Sequence, residues 1–380
     1  MGILRPSWAE ISLGALKSNY LEVKRRVPQN VDIMAMVKAD AYGHGAVPIA
    51  KTLVENGVAS LCVATVEEGL ELRESGIDKT PILVMGGLMG MGTKASRVMV
   101  KSSLTPVIHS AEVLKSLSDD AKSLNKKIGI HLKIDTGMTR LGIMPASLPH
   151  LLREVNKYDN IKLEGVMTHL ATARDPQVTD RQLAIFGECV EVINHHTEPI
   201  NVWHVGNSSA IIDGVDVGIT STNRAWVRPG IILYGVPPHP DYYDRIELRP
   251  VMSLKSRVVL IKKVPEGTPI SYGGTYVTKR KSLIGVLPIG YADGYSWSLS
   301  NKADVLVRGK RVPIVGSVTM DMVMVDLTDL KEVHIGDEVV LLGAQGDEFI
   351  SADELAKKIN TISYEVFCGV SKRVPRVYVD

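Results

Sequence analysis

The chain has 380 residues, 45% of them hydrophobic, so it can bury a large interior and is too long for one small core. Charged residues make up 23% and the formal net charge is +2, which excludes the basic footprint of a nucleic-acid binder and the polybasic patch of a membrane-surface protein. No apolar run reaches membrane-spanning length, the N-terminus MGILRPSWAEISLGALKSNY has no secretory pattern, and Cys62, Cys189 and Cys368 form no C-x-x-C pair; a reducing cytoplasm without disulfides is expected.

From about residue 30 to about residue 240, short apolar runs alternate with helical patterns. The predicted strands are IMAMV (33–37), SLCVA (60–64), PILVM (81–85), TPVIH (105–109), IGIHLKID (128–135), LEGVMTHL (163–170), INVWHV (200–205) and RPGIILYG (228–235). Between them VPIAKTLVEN, AEVLKSLSDDAKSL and TDRQLAIFGECVEVINHH repeat apolar residues at three- and four-residue spacing, as amphipathic helices do. Apolar strands separated by helices imply a parallel sheet covered on its outer face, and eight such units without a dinucleotide fingerprint favour a (β/α)₈ barrel over an open doubly wound sheet. Past residue 250 the runs MSLKSRVVLIKKV, SLIGVLPIG, DVLVRGKRVPIVGSV, MVMVDLT and DEVVLLG are broken by Gly, Pro and Asp turns with little helix between them. The expected fold is therefore α/β: an N-terminal TIM-like barrel over 1–240, whose first few residues are free to pack on the second domain, and a C-terminal, mostly antiparallel β domain over 241–380. The boundary is placed in the loop VPPHPDYYDR.

Lys38 ends an apolar run and is followed at once by the turn ADAYGHGA, which places an amine at the rim of the barrel mouth. A lysine that reacts with a carbonyl needs a neutral amine, so its pKa of about 10.4 must be lowered by burial or nearby cations. The glycine-rich stretch MGGLMGMGTK lacks the Gly-Lys-Thr/Ser order of a phosphate loop. The histidines make no H-E-x-x-H pattern, so no catalytic metal is expected, and His195 and His196 are placed at a helix end.

MVKADAYGHGA resembles the cofactor-lysine motif of the alanine racemases. HLKIDTGMTRLG, THLATA, NSSA, VRPGIILYG, SYGGTY, IGYADGY, TMDMVMVD and TISYEVFCGVSKRVPR follow in that family's order, so the resemblance spans nearly the whole chain. It implies a pyridoxal 5′-phosphate enzyme that interconverts L- and D-alanine, for cell-wall peptidoglycan, as a homodimer with shared sites. In the same terms Lys38 binds the cofactor and serves as base on one face of the substrate α-carbon. Tyr42, Tyr364, Ser208, Asn207, Gly230 and Ile231 correspond to the phosphate cradle; Pro229 has no amide hydrogen, so Gly230 or Ile231 must supply that contact. His169 matches the residue against the cofactor ring face. Arg228, supported by His204, stands where the family sets an arginine against the pyridine nitrogen; a cation there weakens the electron sink, which favours prompt reprotonation over transamination. Arg140 resembles the arginine that meets the ring hydroxyl and substrate carboxylate, and Lys133 a lysine that is often carbamylated to hold it.

Racemisation requires proton transfer on both faces of one carbon, and Tyr272 resembles the second base. Phenol titrates near pH 10, so a base at neutrality needs about 4 kcal/mol of preferential stabilisation of the phenolate. By the same likeness Tyr272 reaches the site from the other subunit together with Tyr291, Met320 and Asp321, which narrow the entrance to alanine-sized substrates. Two other activities are carried as alternatives: a racemase of broader specificity that accepts serine, and a decarboxylase of the same architecture. The decarboxylase would want a carboxylate where Arg228 stands.

Overall fold

The computed structural model describes residues 4–88, 92–197, 200, 202–215 and 224–380. Residues 89–91 of the glycine-rich stretch and Asn201 of the seventh predicted strand lie outside them. Strand β1 (Ser7–Ser12) precedes a closed parallel barrel of β2 (Val31–Met36), β3 (Ser60–Val63), β4 (Ile82–Val84), β5 (Thr105–Ile108), β6 (Ile128–Lys133), β7 (Ile161–Met167), β8 (Val202–His204) and β9 (Arg224–Val227). β9 closes on β2 with Val31 opposite Ala225. All of β3 and β4 is buried, as expected of strands packed between a filled interior and outer helices.

The helices start where the side chains demand it. Thr65 and Glu68 form a reciprocal capping box ahead of Val66–Glu74, and Asp175 caps Pro176–His196 with proline in the first turn, where its missing N–H costs nothing. At the far end of that helix the His195 and His196 rings lie 2.6 and 2.8 Å from the carbonyls of Glu191 and Val192.

One predicted strand is corrected. In RPGIILYG, residues Ile231–Tyr234 form a 3₁₀ turn, and the eighth strand is RAWV just before it. Pro229 cannot donate to a ladder, and Gly235 at φ 86° ends the turn in the left-handed region.

The C-terminal part is antiparallel in the main. Met252–Arg257 pairs with Glu338–Gln345 on one side and with β1 on the other, and β1 also runs parallel to Arg376–Val379. A second sheet joins Leu260–Val264, Ser282–Leu287 and Val323–Asp326. Two helices, Ala352–Lys358 and Ser363–Gly369, interrupt the β texture. The first has a readable signal, Ser351 capping the amide of Glu354 at 2.9 Å. Among the described residues no helix is long and apolar enough to cross a membrane, and no cluster of His, Cys, Asp or Glu could hold a metal ion.

Candidate active site

The C-terminal ends of the barrel strands surround a cavity of about 440 Å³. Lys38 stands just beyond β2, Lys133 ends β6, His169 follows β7 and Arg228 follows β9; all four line the cavity. Arg140, Tyr42, Asn207, Ser208, Gly230, Ile231 and Tyr364 line it too. The sequence reading missed Met36, Met85, Leu141 and Pro238, apolar or imino lining residues whose letters carry no chemical signal.

The turn after Lys38 is unusual. Ala39, Asp40, Ala41 and Tyr42 all have φ between 52° and 55°, one turn of left-handed helix, at a cost of roughly 1–2 kcal/mol per residue. Tertiary contacts hold it. The Ala39 amide donates to Glu68 Oε1 at 2.7 Å, the Ala46 amide donates to Asp40 Oδ1 at 2.7 Å, and His44 Nδ1 lies 3.0 and 2.9 Å from the carbonyls of Ala41 and Tyr42. Gly43 closes the turn so near the next layer that a Cβ would sit 2.3 Å from the Phe367 carbonyl oxygen. The result presents the Lys38 amine and the Tyr42 phenol to one cavity.

The cavity is rich in cations and poor in counter-ions. Burial, then the Arg140 guanidinium, pushes the Lys38 ammonium below its ordinary range, while Glu68 pulls the other way. Lys133, 3% exposed, is brought down to about 8 by burial and then by Arg140 and Arg228, against Asp135. Burial also raises the Tyr42 phenol, and raises Tyr364 to about 12.

Arg228 is 3% exposed and meets no carboxylate within 4 Å among the described residues. Its Nη1 donates to the His204 carbonyl at 2.5 Å, and its Nη2 donates to the carbonyls of Thr168 and Val205 at 2.8 and 3.0 Å. His204 Nδ1 lies 3.2 Å from Nη1, and its Nε2 lies 2.7 Å from His131 Nδ1. Burial lowers Arg228 to about 10, so it stays protonated at neutral pH. The same burial, with Arg228 beside them, lowers His131 and His169 to about 3, and both are neutral. His131 was not foreseen; its signal is indirect, because Gly165 opposite leaves it room that a Cβ would fill at 2.5 Å.

Two loops are fixed by side-chain caps. Asp135 Oδ1 accepts the amides of Gly137, Met138 and Thr139 at 3.0, 2.9 and 3.0 Å, which sets the approach of Arg140. Ser208 Oγ accepts the Gly230 amide at 2.9 Å, and a Cβ on Gly230 would lie 2.6 Å from the Tyr42 hydroxyl.

Tyr272, Tyr291, Met320 and Asp321 are not brought to this cavity by their own chain. Tyr272 is 77% exposed at the tip of a hairpin between Pro269–Ile270 and Tyr276–Val277. Ser271 before it takes φ 63° and donates to the Ser317 carbonyl at 2.7 Å, while Ser317 Oγ donates to the Tyr272 carbonyl at 3.1 Å. Tyr291 and Met320 are exposed on adjoining loops zipped together by Tyr291 N to Thr319 O and Ala292 N to Met320 O, both 3.0 Å. Gly290 permits that approach, since a Cβ would lie 2.2 Å from the Thr319 carbonyl oxygen.

Comparison with known proteins agrees at every scale. The family model of the alanine racemase N-terminal domain matches residues 11–238, and that of the alanine racemase C-terminal domain matches residues 251–378. An alanine racemase of Halothermothrix orenii is 47% identical over 378 residues, covering 99% of this chain and 97% of that protein. One from Methanococcus maripaludis is 42% identical, covering 99% and 100%. Among solved structures, the alanine racemase of Clostridium difficile 630 superposes with a TM-score of 0.91 at 39% identity, covering 100% of this chain and 97% of that one. The Bacillus anthracis alanine racemase with bound L-Ala-P gives 0.91 at 36% identity, covering 100% and 96%. Together with the barrel, the antiparallel domain and the cation-lined cavity at the strand ends, these matches establish that the chain belongs to the alanine racemase family.

Proposed function

We propose that the protein interconverts L- and D-alanine with pyridoxal 5′-phosphate, in a cavity completed by a second copy of the chain. The observation that carries this reading is the Lys38 amine, pushed toward its neutral form inside a cavity lined also by the cations of Lys133, Arg140 and Arg228 and by the hydroxyl-bearing Tyr42, Ser208 and Tyr364. A phosphorylated pyridine aldehyde requires such an amine, together with a phosphate cradle made of small residues and hydroxyls. The residues present fit it: Gly230 has no room for a Cβ, Ser208 and Tyr42 bring hydroxyls to it, and Tyr364 lines the same cavity.

In this arrangement Tyr42, Ser208, Tyr364, Asn207 and the Ile231 amide would hold the phosphate, and Gly230, its own amide donated to Ser208 Oγ, would let the backbone come close. Arg228, held by His204, would supply a fixed cation to the ring nitrogen, and His169 would pack against the ring. When bound, the cofactor supplies delocalisation of the electron pair left behind when the α-proton departs. Arg140, backed by Lys133, takes the substrate carboxylate. Lys38 receives or returns the α-proton on one face, and Tyr272 of the partner subunit does so on the other, so each turnover leaves the two bases with exchanged protonation states. Tyr291, Met320 and Asp321 of the partner subunit narrow the entrance, which sets the preference for alanine over bulkier amino acids.

Incubation of the protein with pyridoxal phosphate and L-alanine in deuterated water tests this directly. Loss of optical rotation with deuterium at the α-carbon is expected. Release of carbon dioxide, or no exchange, overturns the reading.

A further inference from the structure

Two arginines on one short C-terminal segment reach in opposite directions. Arg376 donates from Nε and Nη2 to the Gly43 carbonyl at 3.1 and 2.8 Å, closing the left-handed turn that begins at Lys38. It also donates to the carbonyls of Ser371, Val374 and Val370 at 2.6, 2.8 and 2.6 Å, so the same guanidinium shapes its own segment. Arg373 turns the other way. Its Nη2 donates to Asp321 Oδ1 at 2.6 Å, and its Nε lies 3.4 Å from Asp293 Oδ1.

Asp293 is what makes this more than a surface ion pair. Its side chain is 0% exposed and meets Arg5 at 2.5 Å as well as Arg373. Its Oδ2 accepts the Gly290 amide at 3.0 Å, and its carbonyl accepts the Ser371 amide at 3.0 Å. An exposed ion pair alone holds geometry weakly, but a carboxylate out of water depends on its partners, so the turn Tyr291–Asp293 and the segment at Ser371 are locked together. The zipper from Tyr291 and Ala292 to Thr319 and Met320 extends that lock to Met320, and Arg373 itself holds the next residue, Asp321.

We propose that Ser371–Arg376 is a positioning strap that sets two half-sites at once: Arg376 fixes the Lys38 turn of the protomer's own cavity, and Arg373 fixes the Tyr291–Asp321 surface that the protomer lends to its partner. The inference rests on the shared-site reading above. Neither arginine lines the cavity, so each acts through the groups it holds.

The test uses mixed dimers, isolated by two different affinity tags, of a Lys38→Ala chain with a Tyr272→Phe chain. Each parent homodimer lacks one base in both sites, whereas the mixed dimer has one site with both. Arg373→Ala on the Lys38→Ala chain, which lends its surface to the intact site, is expected to lower kcat roughly tenfold through misplacement of the lent groups. On the Tyr272→Phe chain it is expected to leave kcat unchanged, and Arg376→Ala is expected to show the reverse asymmetry. Arg373→Lys on the lending chain should recover most of the loss, because a cation again faces Asp293 and Asp321. Equal losses in both orders, no loss in either, or failure of the doubly tagged dimer to form with a variant arginine would overturn the strap. If the unmodified mixed dimer shows no activity, the shared-site reading itself falls, and the strap falls with it.

Discussion

The barrel mouth and the face that carries Tyr272 solve opposite problems with the same chain. At the mouth, Arg228, His204 and Lys133 are 3%, 0% and 3% exposed, and Arg228 is anchored on backbone carbonyls that cannot move without the strands. On the other face Tyr272, Tyr291 and Met320 are 77%, 44% and 52% exposed, with their backbones pinned and their side chains facing solvent. A rigid, cation-lined cavity is suited to holding a cofactor's charge in place. A cluster of exposed aromatic and thioether groups on a pinned backbone is suited to meeting another surface. On the shared-site reading proposed above, neither region is a complete site: the mouth lacks the second base and the exposed face lacks a cavity of its own.

The sharpest way to break this division is Lys38→Ala. With Lys38 in its proposed double role of cofactor lysine and base, its removal is expected to cost more than about 10³-fold in exchange of the α-hydrogen. The variant should also lose the visible absorption that the wild type acquires with pyridoxal phosphate. An active, coloured variant would show that the barrel mouth is not the chemical half.

Tyr272→Phe probes the other region and should act unequally on the two enantiomers. With one base gone, deprotonation from its face is expected to fall by about 10²-fold or more, and that from the Lys38 face by less. α-Hydrogen exchange of L- and D-alanine measured separately in deuterated water gives the two values. Folding should be nearly untouched, within about 0.5 kcal/mol, because so exposed a hydroxyl makes little contribution to the fold. Equal and mild losses would mean that the exposed face does not contribute a base.

The two regions also differed in how far their letters could be read. The barrel was visible because its strands are apolar throughout and its helices keep their spacing, whereas SYGGTY and IGYADGY were marked only by their likeness to family motifs. RPGIILYG misled because a run of Ile, Ile, Leu and Tyr looks like a strand, while the proline and the two glycines that make it a turn carry less weight in a periodicity argument. The left-handed turn at Ala39–Tyr42 was beyond reach: two alanines and a tyrosine have no intrinsic preference for positive φ, and the partners that enforce it, Glu68 and Arg376, are remote in sequence. The Arg228–His204–His131 chain was half legible, since the resemblance names Arg228 and His204 while His131 hides inside a predicted strand with no motif to mark it.

Acid should separate the two regions by a smaller but distinct effect. Burial holds His44 at about 4, His131 and His169 at about 3, and His204 well below its ordinary value. In the unfolded chain each titrates near 6.5, so above that pH they are neutral in both states and cost nothing. As pH falls below 6.5 the unfolded chain takes up protons that the folded barrel refuses, and stability drops by up to about 1.4 kcal/mol per pH unit for each histidine until the folded values near 4 and 3 are reached. No histidine of the C-terminal domain is buried among the described residues, so this penalty falls on the barrel. Urea unfolding between pH 7 and 4.5, followed by hydrogen exchange resolved along the chain, should show the barrel strands losing protection before the strands around Glu338–Gln345. His131→Gln removes one of the four groups and should reduce the slope by about one proton, or 1.4 kcal/mol per pH unit. An unchanged slope would mean that His131 already binds its proton in the folded state, and the mouth would then carry one more positive charge than its geometry with Arg228 implies.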